Sequence, residues 1–423
     1  MSRDFATAVV RELTAAGFTA YWAGGCVRDL LRGIDPNDYD VATNARPEQV
    51  RALFGPRRTL AVGESFGVII VLGPKGSTDK VEVATFRQEG DYHDGRRPGQ
   101  VSFCTPEEDA LRRDFTINGM FFDPLTETVH DFVGGQGDLQ RRLVRAIGNP
   151  RDRMTEDKLR MLRAVRFAAV LDFELDAATA HAVAEMSAEV TIVSAERIAQ
   201  ELRKMLADRH RARAMQMCAD LSLLQQIVPE ADESSIRGNP ERWQSVLQIL
   251  GQLSTTRFET AFAALLRDVP QPKTGKQRLE PASGTVLAAC LRLKLSNDET
   301  DHICWLSDHR GAIEALPEKP LCEFKKLAVH PLYKELFELE RVAARVEGRP
   351  DAAYGWAEAL LKAIPSDELD PPPLVTGRDL LARGLKSGPK FKDWLNAIRD
   401  AQLNGEIRTQ GEAFALLGRL LGQ

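Results

Sequence analysis

The sequence predicts an α+β protein: a first part of mixed strands and helices, followed by a longer part that is almost wholly helical. Three observations carry this. In roughly the first 150 residues, short apolar runs alternate with turn residues. Ile147-Gly148-Asn149-Pro150 then forms a strong breaker. From Thr155 onward, apolar residues recur at helical spacing.

Residues Asp4 to Ala16 read as a helix, Ala61 to Leu72 as a β-branched strand and Lys80 to Phe86 as an alternating strand. With 423 residues the chain exceeds the ~250 that one core sustains, so two to four domains are expected. Pro229, the stretch Val269 to Gly284, Pro317 to Pro320 and Leu369 to Pro373 are the joints of the helical part. We expect four regions, 1–150, 151–216, 217–325 and 326–423.

Composition narrows the classes. A hydrophobic share of 43% with 28% charged residues is ordinary globular chemistry. No apolar run approaches the ~18 residues of a membrane span, and Met1 to Val10 carries Arg3 and Asp4 in place of a signal-peptide core. A cytoplasmic location without membrane contact is expected. The six cysteines stand singly, which indicates neither a zinc site nor a disulfide framework. A net charge of −5 and a pI near 5.9 leave room for a polyanion partner only at a local basic surface. Arg141, Arg142 and Arg145, the series Arg160, Arg163, Arg166, and the run from Arg203 to Arg213 are candidates.

The informative segment runs from Tyr21 to Asn44. Paired glycines, Gly24 and Gly25, between a strand and a helix let backbone amides approach a phosphate, and Arg28 adds a guanidinium fork. Taken alone, such glycines more often mark a plain turn than a phosphate cradle. Downstream, Asp38 and Asp40 stand at i and i+2, which on a strand puts both carboxylates on one face, as a pair of Mg²⁺ ions requires. A capping loop is the other reading. Glu82, alternating with Val81 and Val83, faces either such a site or solvent.

Further along, Tyr92 to Gly99 is a polar loop that either closes over a nucleotide or is an ordinary surface loop. Arg112 and Arg113 precede Asp114 and Asn118, a cluster of donors suited to triphosphate and ribose, although a salt-bridged helix also explains the charges. Asp157, Arg160, Arg163 and Arg166 form a row at spacing three on what reads as one helix. A carboxylate beside a guanidinium can offer acceptor and donor to a base edge, or merely pair within the helix.

In this order the motifs resemble those of the class II tRNA nucleotidyltransferases (CCA-adding enzymes) and their bacterial poly(A) polymerase relatives, within the polymerase-β-like nucleotidyltransferase superfamily. The resemblance is dense from Tyr21 to Leu206 and thin beyond. It implies a polymerase-β-like nucleotidyltransferase head followed by an all-α neck, body and tail. It implies that Gly25 and Arg28 hold the triphosphate and that Asp38 and Asp40 bind catalytic Mg²⁺. Arg113 would contact the nucleotide, with Asp114 and Asn118 near its sugar. Asp157 and Arg160 would read the Watson–Crick edge of CTP or ATP, and Arg163 and Arg166 would complete the triphosphate pocket. The implied reaction is template-independent addition of CCA to the 3′ end of tRNA, with no obligate protein partner.

Asp131 to Gly135 with Asp138 is similar to the family's hinge-like motif, and Glu196-Arg197-Ile198 with Glu201-Leu202 to its neck-helix motif. Leu374 to Leu380 resembles a segment common in the tails. Val62 to Val68 stands where poly(A) polymerases carry an Arg-rich signature, and Ala413 to Gln423 is mostly apolar, which points to the tRNA branch. The Tyr92 to Pro98 loop disfavours an enzyme that adds C alone, whereas one that adds A alone stays open. Gly119 departs from the family's usual Ala and is expected to loosen its helix by under ~1 kcal/mol. No His-Asp phosphohydrolase domain is expected. A non-catalytic RNA-binding protein is disfavoured by the intact Asp38 and Asp40, and an enzyme acting on a small molecule by the long helical part.

Overall fold

The computed structural model describes residues 2–63, 67–89, 101–231, 239–269, 285–386 and 388–422. The chain forms two compact units, Met1–Ile236 with Arg292–Lys294, and Arg237–Leu291 with Leu295–Gln423. All the residues singled out for chemistry fall in the first.

Helix α1 (Arg3–Ala15) starts where the Ser2 hydroxyl accepts from the Phe5 amide, satisfying a donor the helix itself leaves unpaired. It buries Phe5, Ala6, Val9, Val10 and Leu13, one stripe at helical spacing. These join Trp22, Tyr39, Val41, Ile69 and Val83 in one core.

The sheet supplies the other side of that core. Its strands are β1 (Ala20–Ala23), β2 (Asp40–Thr43), β3 (Thr59–Gly63), β4 (Val68–Leu72), β5 (Lys80–Thr85), and, beyond the two-stranded ribbon β6 (Arg87–Glu89) and β7 (Val101–Phe103), β8 (Phe121–Asp123) and β9 (Thr128–His130). The order across the seven strands is β3-β4-β5-β2-β1-β8-β9. Only β2 and β5 run parallel within it; the remaining pairs are antiparallel. The expected single strand from Ala61 to Leu72 is instead a hairpin, with Thr59 opposite Val71 and Leu60 opposite Ile70. A continuous β-branched run looks the same in sequence whether it goes straight or folds back. Here Gly67, at φ +77°, hands the chain to β4, a conformation costly to any residue with a Cβ.

Three helices lie among the strands, α2 (Gly25–Leu31), α3 (Pro47–Phe54) and α4 (Pro106–Leu111). After β9 the chain makes α5 (Gly135–Gln140), α6 (Pro150–Glu156), α7 (Leu159–Val170), α8 (Ala177–Met186), α9 (Ala195–Leu206) and α10 (Arg211–Asp220). The Asn149 side chain caps α6, accepting from the Arg151 and Asp152 amides. The row of four charged residues expected on one helix is broken. Asp157 closes α6 in an extended conformation, φ −141° and ψ 107°, and α7 begins at Leu159, so only the three arginines share a helix.

Among the described residues the second unit is helical throughout. It includes Pro240–Gln252, Phe258–Leu265, Asn297–Asp308 and Tyr333–Val346. A separate C-terminal core gathers Val375, Leu380, Ile398, Ala413 and Leu417. No helix among the described residues is long and apolar enough to cross a membrane.

Candidate active site

The acidic edge of the site is built by strand alternation. Tyr39 is buried, whereas its neighbours Asp38 and Asp40 are exposed, so the period of two reaches one turn of the pleat beyond β2. Because β2 and β5 run in parallel register, Glu82 lies directly beside Asp40, on the same face as its partner. Asp38 and Glu82 both push up the pKa of the Asp40 carboxyl. It reaches about 6: although the residue is open to solvent on one side, the protein packed around the carboxyl raises it first, then Glu82 and less Asp38, against the pull of Arg113.

The glycine turn sits at the end of β1. Gly24 has φ +76°, and a Cβ there would come within 3.2 Å of Arg113 Nη1, so both backbone and neighbour exclude a side chain. Gly25 opens α2, and one helical turn on, Arg28 is nearly buried. Its Nε and Nη2 each donate to Asp29 at 2.9 Å, and its Nη1 donates to Asn118 Oδ1 at 2.9 Å.

From Asn118 the network continues. The Asn118 amide donates to Asp114 Oδ1 at 3.2 Å, and Asp114 Oδ2 accepts from Arg163 Nε and Nη2 at 2.9 and 2.5 Å. Burial alone would raise the Asp114 pKa, but the Arg163 charge and its hydrogen bonds, with Arg160 and Asn118, hold it down at about 2. Asp114 is therefore a fixed anion joining the head segment to α7. Arg113 is oriented separately: its Nε and Nη2 donate to Asp109 Oδ2 at 3.1 and 3.0 Å, while Arg112 takes Asp109 Oδ1. Asp109 is fully buried and also accepts from the Arg87 amide.

Asp157 and Arg160 do not pair with each other. Asp157 Oδ1 accepts from the Leu159 amide and Oδ2 from Arg197 on α9 at 2.7 Å. Arg160 donates to Glu156 at 2.6 Å and to the Arg112 and Arg153 carbonyls. Both side chains are thus held from outside their own helix.

One cleft of about 650 Å³ gathers these groups, lined by Gly24, Gly25, Arg28, Asp40, Arg113, Asp114, Asn118, Asp157, Arg160 and Arg163, with Phe167 as its apolar wall. Asp38 and Arg166 do not line it. Asp38 stands on the acidic edge beside Asp40, whereas Arg166 turns toward α9 and donates to buried Glu201 at 2.5 Å. The Arg166 guanidinium also lies 4.1 Å from the Phe167 ring centroid. Sequence reasoning passed over Asp109, Arg197, Glu201 and Glu156 as site residues. Asp109 was discoverable from its spacing to Arg112 and Arg113 (i+3, i+4), but the Arg197–Asp157 contact spans 40 positions and leaves no local signal. The expected nucleotide-covering loop, Tyr92 to Pro98, lies outside the described residues.

Two glycines behind the cleft are fixed by contact. Gly119 is not inside a helix but ends the short 3₁₀ turn Thr116–Asn118. A Cβ there would meet Val133 Cγ2 at 2.7 Å and Ile147 Cδ1 at 3.0 Å. The expected small loosening is therefore corrected: tight packing excludes the methyl group. At Gly135 a Cβ would meet the Thr116 carbonyl at 2.3 Å, and Asp131 Oδ1 accepts from the Val133 and Gly135 amides. This segment clamps the Thr116 turn that carries Asn118.

Comparison with known proteins agrees with the geometry. Residues 20–145 match the family described as the poly A polymerase head domain, and 172–234 match the probable RNA and SrmB-binding site of polymerase A. The chain is 33% identical over 398 residues to the CCA-adding enzyme of Bacillus pumilus, covering 85% of this chain and 98% of that one. It is 31% identical to the CCA-adding enzyme of Geobacillus thermodenitrificans, covering 96% and 94%. Among solved structures, the Bacillus stearothermophilus CCA-adding enzyme in complex with CTP superposes with a TM-score of 0.73 at 28% identity, over 100% of this chain and 99% of that one.

Proposed function

The chain belongs to the family of CCA-adding enzymes and poly(A) polymerases, and on that premise we propose how its cleft performs CCA addition to tRNA. The enzyme is a tRNA nucleotidyltransferase that takes CTP and ATP and extends the tRNA 3′ end without a nucleic-acid template. The observation that carries this reading is the end-to-end identity with CCA-adding enzymes at 31–33%.

In the proposed reaction the tRNA 3′-hydroxyl attacks the α-phosphate of the bound nucleotide in line, forming the new phosphodiester bond as pyrophosphate leaves. Divalent metal use is general in this nucleotidyltransferase family, and we assign Mg²⁺ here. Asp38 and Asp40, with Glu82 beside Asp40, offer only carboxylate oxygens, the donor set of a hard cation. The elevated pKa of Asp40 reflects burial first and repulsion from Glu82 and Asp38 second, and a bound cation would offset both. Asp38 and Asp40 would hold Mg²⁺ there, and its Lewis acidity would lower the pKa of the attacking hydroxyl. Arg28, Arg113 and Arg163 bind the triphosphate by charge-assisted hydrogen bonds, exchanging their resting partners Asp29, Asp109 and Asp114 for phosphate oxygens. Arg166, held by Glu201, completes the positive field from behind. Asn118 and Asp114 face the sugar.

Selection of the base falls to Asp157 and Arg160, an acceptor-only and a donor-only group. Arg197 and Glu156 restrict the two side chains to a narrow set of positions. The division into a catalytic head (1–150), a neck (151–216), a body (217–325) and a tail (326–423) remains our proposal, with RNA binding assigned to the last. The test is extension of a tRNA lacking its three terminal nucleotides. CTP with ATP should add three nucleotides and CTP alone two. Addition of a single A, only to a tRNA already ending in CC, would make this an A-adding enzyme instead, and a long A tail on unrelated RNA would make it a poly(A) polymerase.

A further inference from the structure

The second unit holds a pocket of about 210 Å³ that the reaction above does not use. One wall is a three-ring stack, with Trp305 between His309 (centroids 4.1 Å apart, 24°) and His330 (3.8 Å, 4°). Leu316 and Leu327 form the apolar side, and Lys319, Lys326 and Glu323 the polar rim.

Hydrogen bonding fixes what these rings offer. His309 Nδ1 lies 2.8 Å from the Trp305 carbonyl, so that nitrogen carries a proton and donates. His330 Nδ1 instead accepts from the Leu332 amide at 3.2 Å, which leaves its proton on Nε2. Burial first, then His309 and His302, lower the His330 pKa, consistent with a neutral ring.

The donors exceed the acceptors. Lys319 is exposed and has no carboxylate partner among the described residues. The Trp305 indole N–H and the His330 Nε2–H likewise have no hydrogen-bond partner among the described residues. Lys326 is engaged with Glu323 at 3.1 Å and Asp400 at 2.5 Å, so the one carboxylate lining the pocket is already neutralised. A pocket lined by an unpaired ammonium and by two rings whose indole and imidazole N–H groups lack partners among the described residues, beside an apolar side, suits a ligand with several acceptor oxygens on a compact apolar body.

We propose that this pocket binds a nucleoside phosphate, its phosphate on Lys319, Trp305 and His330 and its nucleoside against Leu316 and Leu327. The ligand is a residue of RNA or a free nucleotide; the chemistry is the same and the sources are separable. Binding here is independent of transfer in the catalytic cleft.

The test uses the full chain, with AMP as the probe and tryptophan fluorescence as the readout. Subtracting the signal of Trp305→Phe isolates the response of this pocket. AMP should quench the Trp305 contribution, and Lys319→Ala should weaken that titration by about tenfold, the loss of one charge-assisted hydrogen bond, with recovery in Lys319→Arg. Because Lys319 is exposed, its replacement leaves the fold undisturbed. If RNA is the source, Lys319→Ala also raises KM for tRNA about tenfold at unchanged KM for CTP; if a free nucleotide is the source, KM for tRNA stays put while AMP binding is lost. The proposal is overturned if AMP leaves the Trp305 signal unchanged and Lys319→Ala shifts neither quantity.

Discussion

Single carboxylates in this chain do opposite work according to their neighbours. Asp40 is set against Glu82 and Asp38, and its pKa near 6 means that its charged form is a cost to the folded chain at neutral pH. Asp40→Asn should therefore abolish transfer, by at least about a thousandfold if metal binding depends on it. It should also raise stability without metal at pH 7 by on the order of 1 kcal/mol after solvent screening; parallel activity assays and urea melts decide both. Asp114 is the reverse case. Its folded pKa of about 2 lies below its unfolded value, so its contribution, on the order of 2 kcal/mol, is complete above about pH 4 and disappears as pH falls through 2. Wild type and Asp114→Asn should differ in unfolding free energy at pH 5 and converge near pH 2; a constant difference would remove the charge from the explanation.

Elements explain why some of this was legible and some not. The alternation of exposed Asp38, buried Tyr39 and exposed Asp40 is a local property of an extended chain, and the sequence pattern carries it. That Glu82 stands beside Asp40 depends on β2 and β5 pairing in parallel, and register between distant strands is written nowhere in either segment. The break between α6 and α7 was hidden because the charged residues of Glu156-Asp157-Lys158-Leu159-Arg160 fit a helix face as readily as the cap that Asp157 forms. At the break the Asp157 carboxylate accepts from the Leu159 amide and caps α7 locally, while the Arg197 contact holds the same carboxylate from α9. The hinge-like segment shows the same dependence on packing. Gly135→Ala should cost at least ~3 kcal/mol, since the added carbon meets backbone, and Gly119→Ala ~1–3 kcal/mol, since Val133 and Ile147 can shift somewhat. Thermal melts of the two variants should rank in that order.

At the scale of the whole molecule, the first unit brings into one cleft the groups we assign to transfer and to selection, with carboxylates along the sheet edge and Asp157 and Arg160 at the break between α6 and α7. The second unit contributes helices without strands among its described residues, and its basic pocket beside Trp305 was invisible in sequence because it draws on residues spread from Trp305 to His330. The four regions expected from Pro and Gly punctuation divide the chain more finely than its two compact units. If protein side chains replace a template, losing the base-reading pair must alter which nucleotide is chosen more than how RNA is held. The most direct measurement is therefore single-turnover incorporation of each of the four triphosphates onto a tRNA ending before its first C, comparing wild type with Asp157→Ala and Arg160→Ala. Wild type should favour CTP strongly, and both variants should lose that preference by about a hundredfold, as two hydrogen bonds to a base edge imply, with KM for tRNA nearly unchanged. Preserved discrimination in both variants would contradict the assignment of nucleotide choice to Asp157 and Arg160.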